Sequence, residues 1–220
     1  MYKDNSYISS NQVVEIFDVL NGNIEYVLLR NINNELPDRL KETKDIDILV
    51  NSHYKSNLIT LLKKEKWLQI IHPWDFGDNF NFLYSMDEFL MFRKGKINLD
   101  VCFQLCCRSL NAGEWFPLDE SIQKSVFTNK RKKCKNDFIT YRLSYEDELI
   151  HLITRCIFDK KIFNDGYIER IQSLLGKIDM NLVSKKLEKI FFKFTPFLIQ
   201  LLLYEEYSQI RNNYITFKEY

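Results

Sequence analysis

The sequence predicts a mixed α/β half followed by an α-helical half. Apolar runs of strand length recur at 25–30, 45–50, 67–71 and 97–103, with helically spaced or polar segments between them. Beyond residue 144 the apolar positions fall at helical spacing toward the C-terminal end. Gly (6) and Pro (4) are few among 220 residues, which disfavours a loop-rich β-sandwich. The boundaries that follow are 1–110 for the α/β half, 111–139 for a connector and hairpin, and 140–220 for the helical half.

Taken in order, Ser9-Ser10 caps a helix carrying Val13, Val14, Ile16, Phe17 and Leu20, and Asn21-Gly22-Asn23 ends it. Residues 25–30 form a strand, and the polar stretch 31–43, with Leu36-Pro37-Asp38, forms a loop or one short helical turn. After the strand at 45–50, Ser52 caps a helix built on Leu58, Ile59, Leu61 and Leu62. Trp67 to Ile71 is a strand, and residues 80–84 pair with 89–93 in a hairpin around Met86-Asp87-Glu88. Lys94-Gly95-Lys96 turns the chain into the strand 97–103. Residues 111–117 connect to a short helix at 119–127, and the basic run 130–136 makes a turn between two β-like pieces. Ser144 and Asp147 have capping-box spacing ahead of the stripe Leu149, Ile150, Leu152, Ile153, Cys156, Ile157. Further helices fit 165–176, 179–192 and 195–211.

The bulk numbers exclude several classes. Hydrophobic residues make up 45% and charged residues 28%, a globular rather than a disordered balance. With 31 basic and 30 acidic residues the net charge is +1, so nothing global draws the chain to nucleic acid or an anionic membrane. The five cysteines are odd in number and lack repeated Cys-x-x-Cys spacing, which fits reduced, mostly buried thiols. His53, His72 and His151 are scattered and make no zinc pattern. The polar start reads as no signal peptide, and the apolar run 197–204 is too short to span a bilayer. The expectation is a soluble, cytoplasmic protein.

The chemistry concentrates at Lys44-Asp45-Ile46-Asp47-Ile48-Leu49-Val50. In a strand, residues two apart share a face, so Asp45 and Asp47 project side by side. Like charges held that close require neutralisation, and carboxylate oxygens suit Mg²⁺. Asp100 interrupts the otherwise apolar strand 97–103, where an acid is costly unless paired or metal-bound. If the two strands are neighbours, Asp45, Asp47 and Asp100 converge as metal ligands and catalytic groups, with Asp100 placed to act as base. Arg30 is a phosphate contact or an ion-pair partner for one of these acids, and Lys44 and Asn31, flanking the same region, are candidate cofactor-binding residues. His151 reads as a satisfied buried histidine. Trp74 and Trp115 are core residues on which an acceptor sugar could stack.

This layout resembles the nucleotidyltransferase fold of the DNA polymerase β superfamily. The residues carrying the resemblance are Leu28-Leu29-Arg30-Asn31, Leu36-Pro37 and Asp45-Ile46-Asp47-Ile48-Leu49-Val50, with the third strand aspartate at Asp100. Within that superfamily the chain is similar to small bacterial nucleotidyltransferase-like proteins found among polysaccharide-biosynthesis genes. Tyr145 to Leu152 and the helices after it are similar to their helical second half. The resemblance implies an α/β (α+β) fold, with a central mixed sheet of nucleotidyltransferase type, flanking helices and an α-helical C-terminal bundle. It also implies a Mg²⁺- or Mn²⁺-dependent nucleotidyltransferase or phosphotransferase with an NTP or CDP-linked donor and a small-molecule or glycan acceptor. The sequence departs from the family at Arg30-Asn31-Ile32-Asn33, where a Gly-Ser phosphate turn is usual. Arg30 supplies charge there, and Asn31 or Asn33 can adopt the left-handed conformation. That departure keeps open a non-catalytic, nucleotide-binding or regulatory protein with the same fold. An RNA-modifying transferase rests only on the basic run, against the near-zero net charge.

Overall fold

The structure, a computed structural model, describes residues 6–72, 81–82, 89–108 and 114–219, with backbone alone at 81, 82 and 114. Trp74, most of the loop 72–80 and the expected hairpin tip at 86–88 lie outside the described residues. The chain opens with helix α1 (Ser10–Asn21) and strands β1 (Tyr26–Leu28) and β2 (Asp45–Val50), followed by α2 (Lys55–Lys64) and β3 (Leu68–Ile70). Next come β4 (Asn81–Phe82), β5 (Leu90–Lys94), β6 (Ile97–Cys102), β7 (Cys106–Arg108) and β8 (Glu114–Pro117). Helix α3 (Glu120–Thr128) leads into β9 (Arg131–Lys135) and β10 (Phe138–Arg142). The remainder is helical: α4 (Tyr145–Thr154) continuing as a π-helix (Arg155–Lys160), α5 (Asp165–Leu175), α6 (Met180–Phe191), α7 (Thr195–Leu203) and α8 (Tyr207–Thr216).

Seven strands form one mixed sheet in the order β3-β5-β6-β2-β1-β10-β9, and β4-β8-β7 form a smaller one. β2 runs parallel to β6 and antiparallel to β1, and β1 runs parallel to β10. The expected central mixed sheet with a helical C-terminal region is therefore present.

Period-two alternation divides the core between the two faces of the large sheet. Tyr26, Leu28, Ile46, Ile48, Val50, Leu99 and Val101 pack with α1 and α2, through Val13, Phe17, Leu20, Leu58 and Leu62. Val27 and Leu49, on the other face, pack with the helical half, including Ile150, Ile153, Ile171 and Leu187. A buried polar cluster locks that half. Lys186 of α6 donates to Asp147 of α4 at 2.6 Å and to Ser125 of α3 at 2.5 Å. Ser125 and Ser144 both donate to Asp147 Oδ2, and the Ser144 hydroxyl accepts from the Asp147 amide as the helix cap. Asp147 is fully buried, so its acid is satisfied only by these groups.

Several local expectations change. β4 pairs in parallel with β8 rather than with β5, because β3 and β6 already occupy both edges of β5. The segment expected to be pure connector contributes Glu114–Pro117 as a strand against β7. The basic run is strand β9 rather than a turn; the turn falls at Asn136, whose φ of 53° suits asparagine, and Asp137. Ser52 does not cap α2: Asn51 accepts from the His53 amide and a 3₁₀ turn at Ser52–Tyr54 precedes the helix. The helix expected at 195–211 is two, broken where Glu205 takes a φ of 61°. Asn34 (φ 50°), rather than Asn31 or Asn33, is the left-handed residue in the loop after β1.

Substituting Asp147→Ala strands a buried ammonium and should lower stability by about 3–5 kcal/mol in urea denaturation. Ser144→Ala removes a cap and should lose only about 1 kcal/mol. An Asp147→Ala loss no larger than that of Ser144→Ala would contradict the role given to the cluster.

A carboxylate-lined cleft as candidate active site

Strand register assembles the site. In the parallel pair β2–β6, Asp45 stands opposite Asn98 and Asp47 opposite Asp100. Residues paired in register share a face. Asp45, Asp47 and Asp100 therefore lie on the face that carries Leu49, beneath the helical half. The two strands sit inside the sheet rather than at its edge.

Each acid has a partner of its own. Arg30, just past β1, makes an ion pair with Asp47. His72 places Nε2 3.4 Å from Asp100 Oδ1 and is itself buried, with its ring 5.5 Å from that of Phe89. Asp45 is hydrogen-bonded by Asn98, which Arg93 orients through a 2.8 Å hydrogen bond. Burial raises the Asp45 carboxyl above the usual range, and the nearby Asp100 charge acts in the same direction. Burial also lowers Arg30, assisted by the neighbouring Arg155 guanidinium. The Arg30 Nε is buried without a hydrogen-bond partner among the described residues. The site thus crowds charges of both signs, with Asp45 and Arg30 each pushed toward its neutral form by burial.

Two clefts meet at these acids. One, with about 1260 Å³ of unfilled space, is polar and bordered by Asn31, Lys44 and Asp45. The other, with about 730 Å³, is walled by Leu29, Phe89, Leu105 and Trp115. Arg30, Asp47, Asp100, Arg155 and Lys160 border both.

Of the residues expected to contact a donor, Arg30 is ion-paired as above, and Lys44 makes an ion pair with Glu35. Asn31 is a loop organiser: its Oδ1 accepts from the amides of Glu35 at 2.7 Å and Leu36 at 3.3 Å. Among the described residues no group of three or more His, Cys, Asp or Glu side chains is gathered as a metal cage. Three carboxylates on one face are the donor type that suits Mg²⁺ or Mn²⁺.

Sequence pattern does not single out Arg155, Asp159, Lys160 or Tyr167, and it gives His72 only as one of three scattered histidines. Arg155 donates to the Tyr167 hydroxyl at 3.1 Å and to Asp159 at 3.3 Å, and the Arg108 amide donates to Asp159 at 2.9 Å. Their one visible signal is a charged Arg155 beside the apolar Cys156-Ile157, at the point where α4 widens into the π-helix. His151 also departs from expectation. It is buried against the apolar-walled cleft, but its Nε2 has no hydrogen-bond partner among the described residues, so it is not fully satisfied. All five cysteines are free. No helix among the described residues is long and apolar enough to cross a membrane.

Burial, with Arg155 and Arg30 nearby, pushes His151 down to about 3. An unfolded histidine titrates near ~6.5, so between that pH and about 3 the unfolded chain binds the extra proton. Stability should fall as pH drops through that window, and His151→Leu should flatten the slope. In two-dimensional ¹H–¹⁵N spectra the His151 ring should stay neutral from pH 8 to about 5; a midpoint near 6.5 would contradict this.

No protein-family model and no curated protein matches the chain. Among solved structures it is similar to the antibiotic-resistance factor ANT(2'')-Ia, at 12% identity over 91% of this chain and 100% of that one, with a TM-score of 0.48. It is similar also to the lincosamide antibiotic adenylyltransferase LnuA bound to lincomycin, at 13% identity over 79% and 100%, with a TM-score of 0.47. A third is ANT(2'')-Ia in complex with adenylyl-2''-tobramycin, at 11% identity over 83% and 97%, with a TM-score of 0.47. Likeness this remote assigns no activity and no acceptor to this chain.

Proposed function

We propose that this chain is a metal-dependent nucleotidyltransferase or phosphotransferase acting on a small-molecule or glycan acceptor. The observation that carries the reading is Asp47 opposite Asp100, with Asp45 on the same face, at the junction of two clefts. The polar cleft suits the phosphates of an NTP or CDP-linked donor, with Arg30, Lys44 and Lys160 as cations. The apolar-walled cleft suits the acceptor, against Phe89 and Trp115.

Mg²⁺ or Mn²⁺ held by Asp45, Asp47 and Asp100 would supply positive charge against the phosphate oxygens and the leaving group. Arg30 leaves Asp47 when a donor enters and turns its fork to a phosphate. Asp100 accepts the proton of the acceptor hydroxyl, and His72 fixes the orientation of its carboxylate. Arg155, braced by Tyr167 and Asp159, keeps positive charge beside the transferred group.

A second reading is favoured by one observation. Arg30 already neutralises Asp47, as a bound cation would. A chain that keeps this pair permanently would be a non-catalytic nucleotide-binding or regulatory protein.

Turnover assays with Mg²⁺ or Mn²⁺ across NTP and CDP-linked donors separate the two. On the transferase reading, Asp100→Asn lowers turnover by about 10²–10⁴-fold. Asp47→Ala should abolish metal-dependent nucleotide binding in calorimetry. Nucleotide binding without turnover, indifferent to metal and to Asp47→Ala, would establish the non-catalytic reading instead.

A further inference from the structure

On the reverse face of the sheet lies a second polar feature. In the hairpin β9–β10, Lys135 pairs with Phe138, Lys133 with Thr140 and Arg131 with Arg142. Arg131, Lys133 and Lys135 therefore form a ladder of cations on one face, together with Arg142. Arg142 in turn stands opposite Leu28, which packs on the α1–α2 side. The carboxylates of β2 and β6 stand on the other side of the same sheet.

Between this ladder and the loop after β1 is a cleft with about 480 Å³ of unfilled space, bordered by Asn34, Arg39, Lys133, Lys135, Thr140 and Arg142. No acid among the described residues lines it, and the acids around it are already committed. Asp38 accepts from Lys135 at 2.5 Å and from Ser10 at 3.1 Å. Glu148, whose charge acts on Arg142, receives a two-bond fork from Arg170 at 2.7 Å and a further bond from Arg131 at 3.1 Å. Glu35 is held by Lys44.

Lys133 and Arg142 are left with a neutral partner. Lys133 donates to Asn34 Oδ1 at 3.0 Å and Arg142 donates to the same oxygen at 3.4 Å. Neither has an ion pair with a carboxylate among the described residues, and the Arg142 Nε is buried without a hydrogen-bond partner. Burial, then the charges of Arg142, Arg170 and Arg131, lower the Lys133 ammonium from its usual range. Two cations converging on a single amide oxygen lack the anion their geometry would accommodate.

We propose that this cleft binds a phosphate-bearing small-molecule anion, held by Lys133 and Arg142 with Arg39 at the rim. The fork of Arg142 and the point charge of Lys133 recognise phosphate oxygens, and Asn34 moves from bridging two cations to flanking the ligand. The site is separate from the carboxylate cleft and does not depend on what that cleft does. A nucleic-acid strand is the less favoured occupant, because the chain carries a net charge of only +1.

The test is calorimetric titration of the full chain with inorganic phosphate and inorganic pyrophosphate, against chloride at matched ionic strength. Saturable binding is expected, at least tenfold weaker in Lys133→Ala and in Arg142→Gln, and unchanged in Asp100→Asn. Phosphate should raise the Tm of the native chain beyond the chloride control, and Lys133→Ala should lose that increment. Lys133 is exposed on an edge strand, so its removal leaves the fold intact even if Arg142→Gln does not. If both phosphates bind, adenosine 5′-monophosphate and glucose 6-phosphate distinguish a free-ion site from one for a phosphorylated metabolite. No binding, binding indifferent to Lys133→Ala, binding lost in Asp100→Asn, or binding confined to an RNA oligonucleotide would each overturn the proposal.

Discussion

The structure depends on how three carboxylates are accommodated under a helical roof. Period-two alternation gives β2 and β6 one greasy face and one acidic face, and the parallel register sets Asp47 beside Asp100. The acidic face is the one that the C-terminal helices cover. Like charges in a partly dehydrated space raise the free energy of the fold unless cations come with them. The cations come from both halves of the chain. Arg30 arrives from the end of β1, and Arg155 with Lys160 from the π-helix that extends α4. The wider turn of that segment lets Arg155 and Asp159 reach the same cleft while Cys156 and Ile157 stay in the core.

The helices are held in register by polar contacts that join elements far apart in sequence. Asp147, Lys186 and Ser125 tie α4, α6 and α3 together, and Glu148 ties α4 to α5 and to β9 through Arg170 and Arg131. Such pairs add little net stability over an apolar core of the same shape, but each penalises any packing that leaves one member alone. Arg155, and with it the side chains facing the carboxylates, is positioned by this frame.

What the sequence disclosed follows from the range of each interaction. Asp45 and Asp47 sharing a face is a property of one strand, and Asp100 announced itself as an acid in an apolar line. Helix α1 was legible from its apolar spacing, although the expected Ser9-Ser10 cap makes no side-chain hydrogen bond to the helix and Ser10 turns to Asp38 instead, whereas the Ser144 cap forms because its signal lies within one turn. Pairing that depends on edge availability was not: the partner of β4 is decided by which edges of β5 are already taken. The basic run hid a strand because charge masks alternation, and only the outer position of β9 makes such a strand tolerable. His72, Arg155 and Tyr167 join the site through tertiary packing, which no local pattern encodes.

The pairing of Leu28 with Arg142 has a consequence for how the chain comes together during synthesis. β1 is made well before β10, and this neighbour follows only after all three small-sheet strands and α3. Until β10 arrives, β1 presents an open edge of unpaired amides and carbonyls bearing Tyr26, Val27 and Leu28. In that interval β1 is a ready template for wrong strand partners, and a nascent-chain chaperone would matter more for this chain than for one whose sheet closes in sequence order.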